Sequence, residues 1–233
     1  TYATWNWQNV LNFTRTFNSV HNLTATAVQE YTHSETEYMD GSVYELSDPF
    51  FSEHIISNTF GQKDVGGWKS ENGLASYMFR ANYNYDSKYY IGASIRYDGL
   101  SKLPKDTRWG TFWGASAAWR LSREKFWTEA PVNEWFNDLR LRASYATIGN
   151  SALGSDYPYL GTYGAKLVGP MAGIAWNVMG NNNLKWETTE TFDIGLDGAL
   201  FNNRMTFEIA YWQKNSKDLV LRVPTPPTMG IPN

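Results

Sequence analysis

The sequence predicts an all-β fold, an antiparallel transmembrane β-barrel fragment of about eight strands. Three observations predict it. Apolar and polar residues alternate with period two in about eight segments. Aromatic rings stand at the ends of the apolar faces, with Ala and Ile between them. The connections between segments mostly alternate between tight and long. A soluble sandwich would also alternate, but it has no reason to set rings at both ends of each strand.

The segments follow in order. Trp5–Phe17 and Val20–Thr32 alternate weakly. In the next, Ala75, Tyr77, Phe79, Ala81, Tyr83 and Tyr85 share a face opposite Ser76, Arg80, Asn82 and Asn84. Tyr89, Ile91, Ala93, Ile95 and Tyr97 then oppose Gly92, Ser94, Arg96 and Asp98. Trp109, Trp113, Ala115, Ala117, Trp119 and Leu121 oppose Gly110, Gly114, Ser116 and Arg120. Leu139, Leu141, Ala143 and Tyr145 alternate with Arg140, Arg142 and Ser144. Phe192, Ile194, Leu196 and Leu200 alternate with Asp193, Gly195 and Asp197, and Met205, Phe207, Ile209 and Tyr211 with Arg204, Thr206 and Glu208. Rings at both ends and aliphatics in the middle are the profile of a strand crossing a bilayer, where amphipathic side chains mark the two interfaces. Strands of about 9–11 tilted residues span the hydrocarbon.

Tight turns are expected at Asn18-Ser19, Asp86-Ser87 and Phe201–Asn203, because Asn and Asp tolerate positive φ. Long extracellular loops are expected at about 33–73, 99–108 and 149–185. The connection 122–136 falls on the short side and holds a turn of helix around Glu124–Trp127. Outer-membrane barrels have this asymmetry of short periplasmic turns and long outer loops.

Composition excludes several classes. With no Cys there is no disulfide framework, thiolate nucleophile or Cys-held metal. A net charge of −3 and a pI near 5.6 argue against a nucleic-acid partner. Mean hydropathy is −0.48, and no apolar run approaches a membrane helix. Eleven Trp, fifteen Tyr and twelve Phe make up 16% of the 233 residues, and the interface girdles account for many of them. The chain opens almost at once in strand-like sequence and stops after a Pro-rich stretch, as a piece of something longer would.

Several runs are more specific. Arg80-Ala-Asn-Tyr-Asn-Tyr85, Lys88-Tyr-Tyr90, Arg96-Tyr-Asp98-Gly99 and Arg108-Trp-Gly-Thr-Phe112 stand in order along the chain. Ser116-Ala-Ala-Trp-Arg120, Asp138-Leu-Arg-Leu-Arg-Ala-Ser-Tyr145, Gly149-Asn150 and Asn183-Leu-Lys-Trp-Glu-Thr188 follow, then Asn202-Asn-Arg204 and Lys217-Asp-Leu219. Over about residues 74–221 this series closely resembles the barrel of SusC/RagA-type TonB-dependent transporters of Bacteroidota. It departs from that pattern at Leu100-Ser101-Lys102-Leu103 and at Ile148, both at strand–loop junctions. The resemblance implies a middle section of a barrel of about 22 strands with a plugged lumen. It also implies that the plug and the segment grasped by TonB lie outside this chain. The implied activity is import of oligosaccharide or peptide nutrients across the cell outer membrane, with a SusD-like surface lipoprotein as partner and the lipid bilayer as surroundings.

No catalytic constellation is present, so an enzyme, a cofactor and a metal are not expected. His21, His33 and His54 are far apart in sequence and lack zinc-ligand spacing. Glu35 with Glu37, and Glu187 with Glu190, read as solvated charges, and Gly66-Gly67 as a turn. Arg80, Arg96, Arg120, Arg140 and Arg142 fall on the polar, lumen-facing phase, with Asp98, Asp193, Asp197 and Glu208. Those charges either meet substrate or pair with one another and grip the plug, and the second reading is preferred. Ligand contact is assigned instead to loop rings: Tyr157, Tyr159, Tyr163 and Trp176 in one loop, Trp68 in another beside Tyr38, Tyr44, Phe50, Phe51 and Phe60. Two alternatives stay open: a SusC-like barrel serving as accessory or scaffold subunit of an outer-membrane assembly or secretion machine, and a soluble carbohydrate-binding sandwich.

Overall fold

The computed structural model describes residues 1–44, 62–168 and 171–221, together with Pro224, Pro226 and Thr228. Ten strands form: β1 (Tyr2–Phe17), β2 (His21–Val43), β3 (Lys63–Tyr85), β4 (Tyr89–Leu100), β5 (Trp109–Arg120), β6 (Phe136–Asn150), β7 (Thr162–Val168), β8 (Met171–Val178), β9 (Glu187–Leu200) and β10 (Met205–Lys217). Eight of them make one antiparallel sheet in the order β1-β2-β3-β4-β5-β6-β9-β10, while β7 and β8 pair only with each other. One short helix, α1 (Lys125–Thr128), lies between two 3-10 turns in the β5–β6 connection. That is where a helical turn is expected.

The tight turns form for the reason read from the sequence. Asn18 and Ser19 take φ of 48° and 60°, and Asp86 and Ser87 take 48° and 53°. Two consecutive left-handed residues give the turn whose twist matches the flanking strands. At the second turn the Asn84 side chain accepts the Ser87 N–H at 2.9 Å. These turns fix a register in which the apolar phases of neighbouring strands coincide.

One face therefore carries continuous rows. Phe17, His21, Tyr85, Tyr89, Trp119 and Leu141 stand side by side across six strands. Tyr85–Tyr89 and Tyr89–Trp119 stack at 6.2 and 6.3 Å. Ala25, Ala81, Ala93 and Ala115 form a row of small side chains in the middle. Above them Tyr77 faces Tyr97, and Tyr97 stacks on Trp109 at 4.7 Å. From the Tyr77–Tyr97 row to the Tyr85–Tyr89 row is roughly 27 Å along a strand at about 3.4 Å per residue. At a tilt near 40° that is a band of roughly 20 Å, close to the apolar belt of an outer-membrane barrel. Phe79, Ile95 and Trp113 within the band are about half exposed. Among the described residues no second sheet covers this face, which removes the sandwich alternative.

The turn expected at Gly66-Gly67 needs correction, and the three expected loops have structure of their own. The described residues of the segment 33–73 are mostly strand: β2 and β3 continue their ladder from Thr32↔Leu74 to Val43↔Lys63. Gly66-Gly67 and Trp68 lie within β3 and not in a turn. Residues 33–37 are polar on both faces, so no alternation marks this extension; the backbone ladder and cross-strand pairs such as Glu35–Lys69 at 2.6 Å hold it. Phe50, Phe51 and Phe60 lie outside the described residues. The segment 149–185 contains the β7–β8 hairpin. The connection 99–108 folds back against the sheet's polar side, where Leu103 is fully buried.

That burial makes the protein's one buried apolar cluster among the described residues: Leu100, Leu103, Phe112 and Trp186, with Leu74, Leu153 and Leu184 packed on it. Phe112 belongs to the polar phase of β5, yet its ring lies edge-on to Trp186 at 5.2 Å. The ring fits because Gly149 lies beside it; a Cβ there would come within 2.2 Å of Phe112. The cluster pins the long connections to the upper end of the wall.

Candidate ligand-facing wall and hairpin

The alternating register places all five arginines on the polar face, and four of them have carboxylate partners. The guanidinium of Arg96 donates from Nε to both oxygens of Asp98 at 2.8 Å and from Nη2 to Ser76 at 3.0 Å. Asp98 and Ser76 are buried, so the acceptor side of this pair is shielded from solvent while the Arg96 side chain stays half-buried. Arg120 grips Asp138 with two parallel bonds of 2.7 and 2.9 Å, and Ser122 donates to the same carboxylate at 2.5 Å. Two-pronged arginine–carboxylate contacts fix geometry as well as charge.

The densest network joins β6, β9 and β10. Arg140 donates to Asp197 at 2.7 Å. Arg142 bridges Asp193 at 2.6 Å, Asp197 at 3.3 Å and Glu208. Three carboxylates on neighbouring strands repel one another unless cations lie between them, and Arg140 and Arg142 supply those cations. The fifth, Arg80, is exposed and has no ion pair among the described residues. Its row neighbours are Thr26 and Ser94.

The loop rings separate into groups. Tyr163 and Trp176 meet across the β7–β8 hairpin at 3.9 Å. Tyr157 lies beside β3, its hydroxyl accepting the Glu71 N–H at 3.4 Å. The Tyr159 carbonyl accepts the Asn181 N–H at 3.0 Å. Trp68 stacks with Tyr38 at 5.9 Å on the β2–β3 extension instead of joining the hairpin pair. The structure thus brings together two of the five chosen rings and distributes the others.

Sequence reasoning missed Asp156. Its carboxylate accepts from Asn72 at 2.9 Å, from the Ser70 hydroxyl, and pairs with Lys102 at 3.1 Å. Burial works to raise its pKa, but the bonds from Ser70, Lys102 and Asn72 outweigh it and hold the carboxyl below its ordinary range. Partners as far as 86 residues away leave no local pattern to read. On the opposite rim, Glu124 accepts from the Tyr89 hydroxyl at 2.5 Å and the Trp119 indole at 3.1 Å, and these bonds lower its pKa.

One histidine has company that its sequence spacing did not announce. His33, Glu35 and Glu71 bring ligand atoms within 4.8 Å of one another. Lys69 already sits 2.6 Å from Glu35, so a metal ion would have to compete with it. His54 lies outside the described residues. The Glu187–Glu190 pair is likewise neutralised on one side, by Lys217 at 2.6 Å from Glu190.

Against known proteins, the whole chain, residues 1–233, matches the family described as TonB dependent receptor-like, beta-barrel. It is 31% identical over 227 residues to TonB-dependent receptor P39 of Formosa agariphila, covering 97% of this chain and 22% of that protein. It is 32% identical over 171 residues to TonB-dependent receptor SusC of Bacteroides thetaiotaomicron, covering 70% of this chain and 17% of that protein. Its fold is similar to the solved structure of the RagAB peptide transporter, with a TM-score of 0.86, 25% identity, and coverage of 98% of this chain and 25% of that one. A likeness to the siderophore receptor PirA from Pseudomonas aeruginosa, TM-score 0.54 at 13% identity, extends to the fold alone. The chain spans about a sixth to a quarter of the length of the relatives it matches.

Proposed function

The chain belongs to the TonB-dependent receptor β-barrel family, and on that premise we propose that it forms about a third of the wall of an outer-membrane nutrient importer. The cargo is an oligosaccharide or a peptide, received with a SusD-like surface lipoprotein and drawn inward with energy delivered through TonB. Strands β1 and β10, the edges of the sheet, continue into the rest of the barrel, since an open edge has no place in hydrocarbon. The aromatic and aliphatic rows face lipid, the arginine–carboxylate face lines the lumen, and the β4–β5 connection and the β7–β8 hairpin lie on the extracellular side. Catalysis plays no part.

The observation that carries this reading is the division of labour on the polar side. Four wall arginines are satisfied by carboxylates of the same sheet, so the wall serves as architecture. Ligand discrimination is left to the connections, where Tyr163 and Trp176 lie on a hairpin outside the sheet and Tyr157 is exposed at its rim on β3. Likeness to a peptide transporter supports import over a scaffold role.

The test uses the full-length receptor in its own outer membrane. Labelled oligosaccharides and peptides are followed into cells with and without TonB, and the receptor is purified to identify bound lipoproteins. The reading predicts TonB-dependent uptake of one of the two classes and a co-purifying lipoprotein. A stable outer-membrane assembly that takes up neither class overturns it and favours the accessory-subunit role.

A further inference from the structure

The β7–β8 hairpin is joined to the rest of the molecule at two roots of different kinds. Its C-terminal root is fastened by permanent contacts. The Thr107 hydroxyl donates to the Leu184 carbonyl at 2.5 Å, and the Trp186 indole N–H donates to the Arg108 carbonyl at 2.9 Å. Trp186 and Leu184 also belong to the buried apolar cluster. The N-terminal root is fastened by polarity. After Leu153, which packs on the cluster, Gly154 takes a positive φ of 66° with nothing within 4 Å of the position its Cβ would occupy. The next anchored side chain is Asp156, held by Ser70 and Asn72 of β3 and by Lys102 of the β4–β5 connection.

Between roots and hairpin lies a neck. A Cβ on Gly161 would stand 2.9 Å from the Gly180 nitrogen, and one on Gly180 would stand 2.7 Å from the Gly161 nitrogen. Only two glycines let the strands close this tightly, and glycine also leaves the backbone free to turn. The hairpin beyond the neck shares no ladder with the eight-stranded sheet. It has therefore one apolar root, a narrow neck closed by the Asn181 N–H to Tyr159 carbonyl bond, and one ionic fastening. In the Asp156–Lys102 pair both side chains are less than a fifth exposed, at 18% and 19%, the most enclosed ion pair among the described residues.

We propose that Asp156 is a positioning residue, a latch that holds the β7–β8 hairpin, and with it the Tyr163–Trp176 ring pair, in one place above the wall. The functional consequence rests on the reading of the hairpin as ligand-facing; the positional claim does not. With the latch closed, the segment 154–161 is clamped to β3 and the hairpin has one orientation. With it open, that segment keeps only Leu153 behind it and the 3.4 Å bond from the Glu71 N–H to the Tyr157 hydroxyl, and the hairpin moves about its apolar C-terminal root.

The experiment uses the full-length receptor in outer-membrane vesicles, with spin labels on Lys105→Cys and Met171→Cys, both exposed positions. The label-to-label distance distribution is recorded for the parent, for Asp156→Ala, for Asp156→Asn, and for the swap Lys102→Asp with Asp156→Lys. A latch predicts a narrow distribution in the parent, a broad one in Asp156→Ala, and recovery of the narrow one in the swap, which a merely space-filling role would not give. Should Asp156→Ala fail to assemble, Asp156→Asn, which keeps the shape and can still bond Ser70, decides the matter by partial broadening. Uptake by TonB-competent cells carrying the same variants falls about tenfold in Asp156→Ala, as for loss of a charged, hydrogen-bonded contact, and returns in the swap. A narrow distribution in every variant overturns the latch. A broadened distribution with unchanged uptake leaves the latch in place and removes the ligand-facing reading of the hairpin.

Discussion

The wall and the hairpin above it are stabilised by opposite means. In the wall every strand but the two at the edges has neighbours on both sides, and its charged side chains find partners one or two strands away. In the hairpin two short strands hold only each other, and two roots tie them down. Interactions that recur across many strands build the wall; a few long-range ones place the hairpin.

The comparison can be broken most severely where the two regions join. Replacing Phe112 with Ala removes the central ring of the only buried apolar cluster among the described residues. The expected loss is about 3–5 kcal/mol of local stability, read as protease cleavage in 101–108 and 184–186 while the barrel still resists heat in detergent. Gly149→Ala drives a methyl group into the same ring and is expected to cost about 1–3 kcal/mol. In the double variant with Phe112→Ala, that second cost should vanish, because the collision partner is gone.

A smaller effect follows from acid. The folded-state pKa of Asp156 is depressed, so its stabilisation is fully present above the carboxyl's ordinary value and is lost as pH falls through the folded one. Amide exchange across 155–161 should therefore stay protected from neutral pH down to about pH 4 and rise only below it. Protection lost between pH 5 and 7 would contradict the direction of the shift. The smallest effect is expected at Lys69→Ala: Lys69 is exposed and its partner Glu35 only half-buried on the β2–β3 extension, and such pairs contribute little. Assembly and heat resistance should be unchanged.

How much of this was legible in the sequence depends on which physical signal each region leaves. The spanning segments announced themselves, since a strand with one face in hydrocarbon must alternate, and rings at Tyr77, Tyr85, Tyr89, Tyr97, Trp109 and Trp119 mark its ends. The arginines' side of the sheet followed from the same phase. The upper parts of β2 and β3 left no such mark, because His33, Ser34, Glu35, Thr36 and Glu37 are polar on both faces and only the backbone ladder holds them. The hairpin was hidden for a related reason: Leu167, Ile174 and Val178 are exposed, so no buried face sets a period. Phe112 broke the pattern outright, an aromatic ring on the polar phase whose partner Trp186 arrives from 74 residues further on. Asp156 is the extreme case, an unremarkable loop carboxylate until two distant segments meet it.

The central claim is that discrimination resides in the hairpin rings and not in the charged wall. It is tested most directly by measuring uptake in the full-length receptor carrying Tyr163→Ala with Trp176→Ala, beside one carrying Arg96→Gln, each confirmed to assemble. The account predicts at least about a tenfold loss of uptake in the ring variant, equivalent to roughly 1.4 kcal/mol of lost binding, with the substrate range of Arg96→Gln unchanged. Unchanged uptake in the ring variant together with an altered substrate range in Arg96→Gln would contradict it.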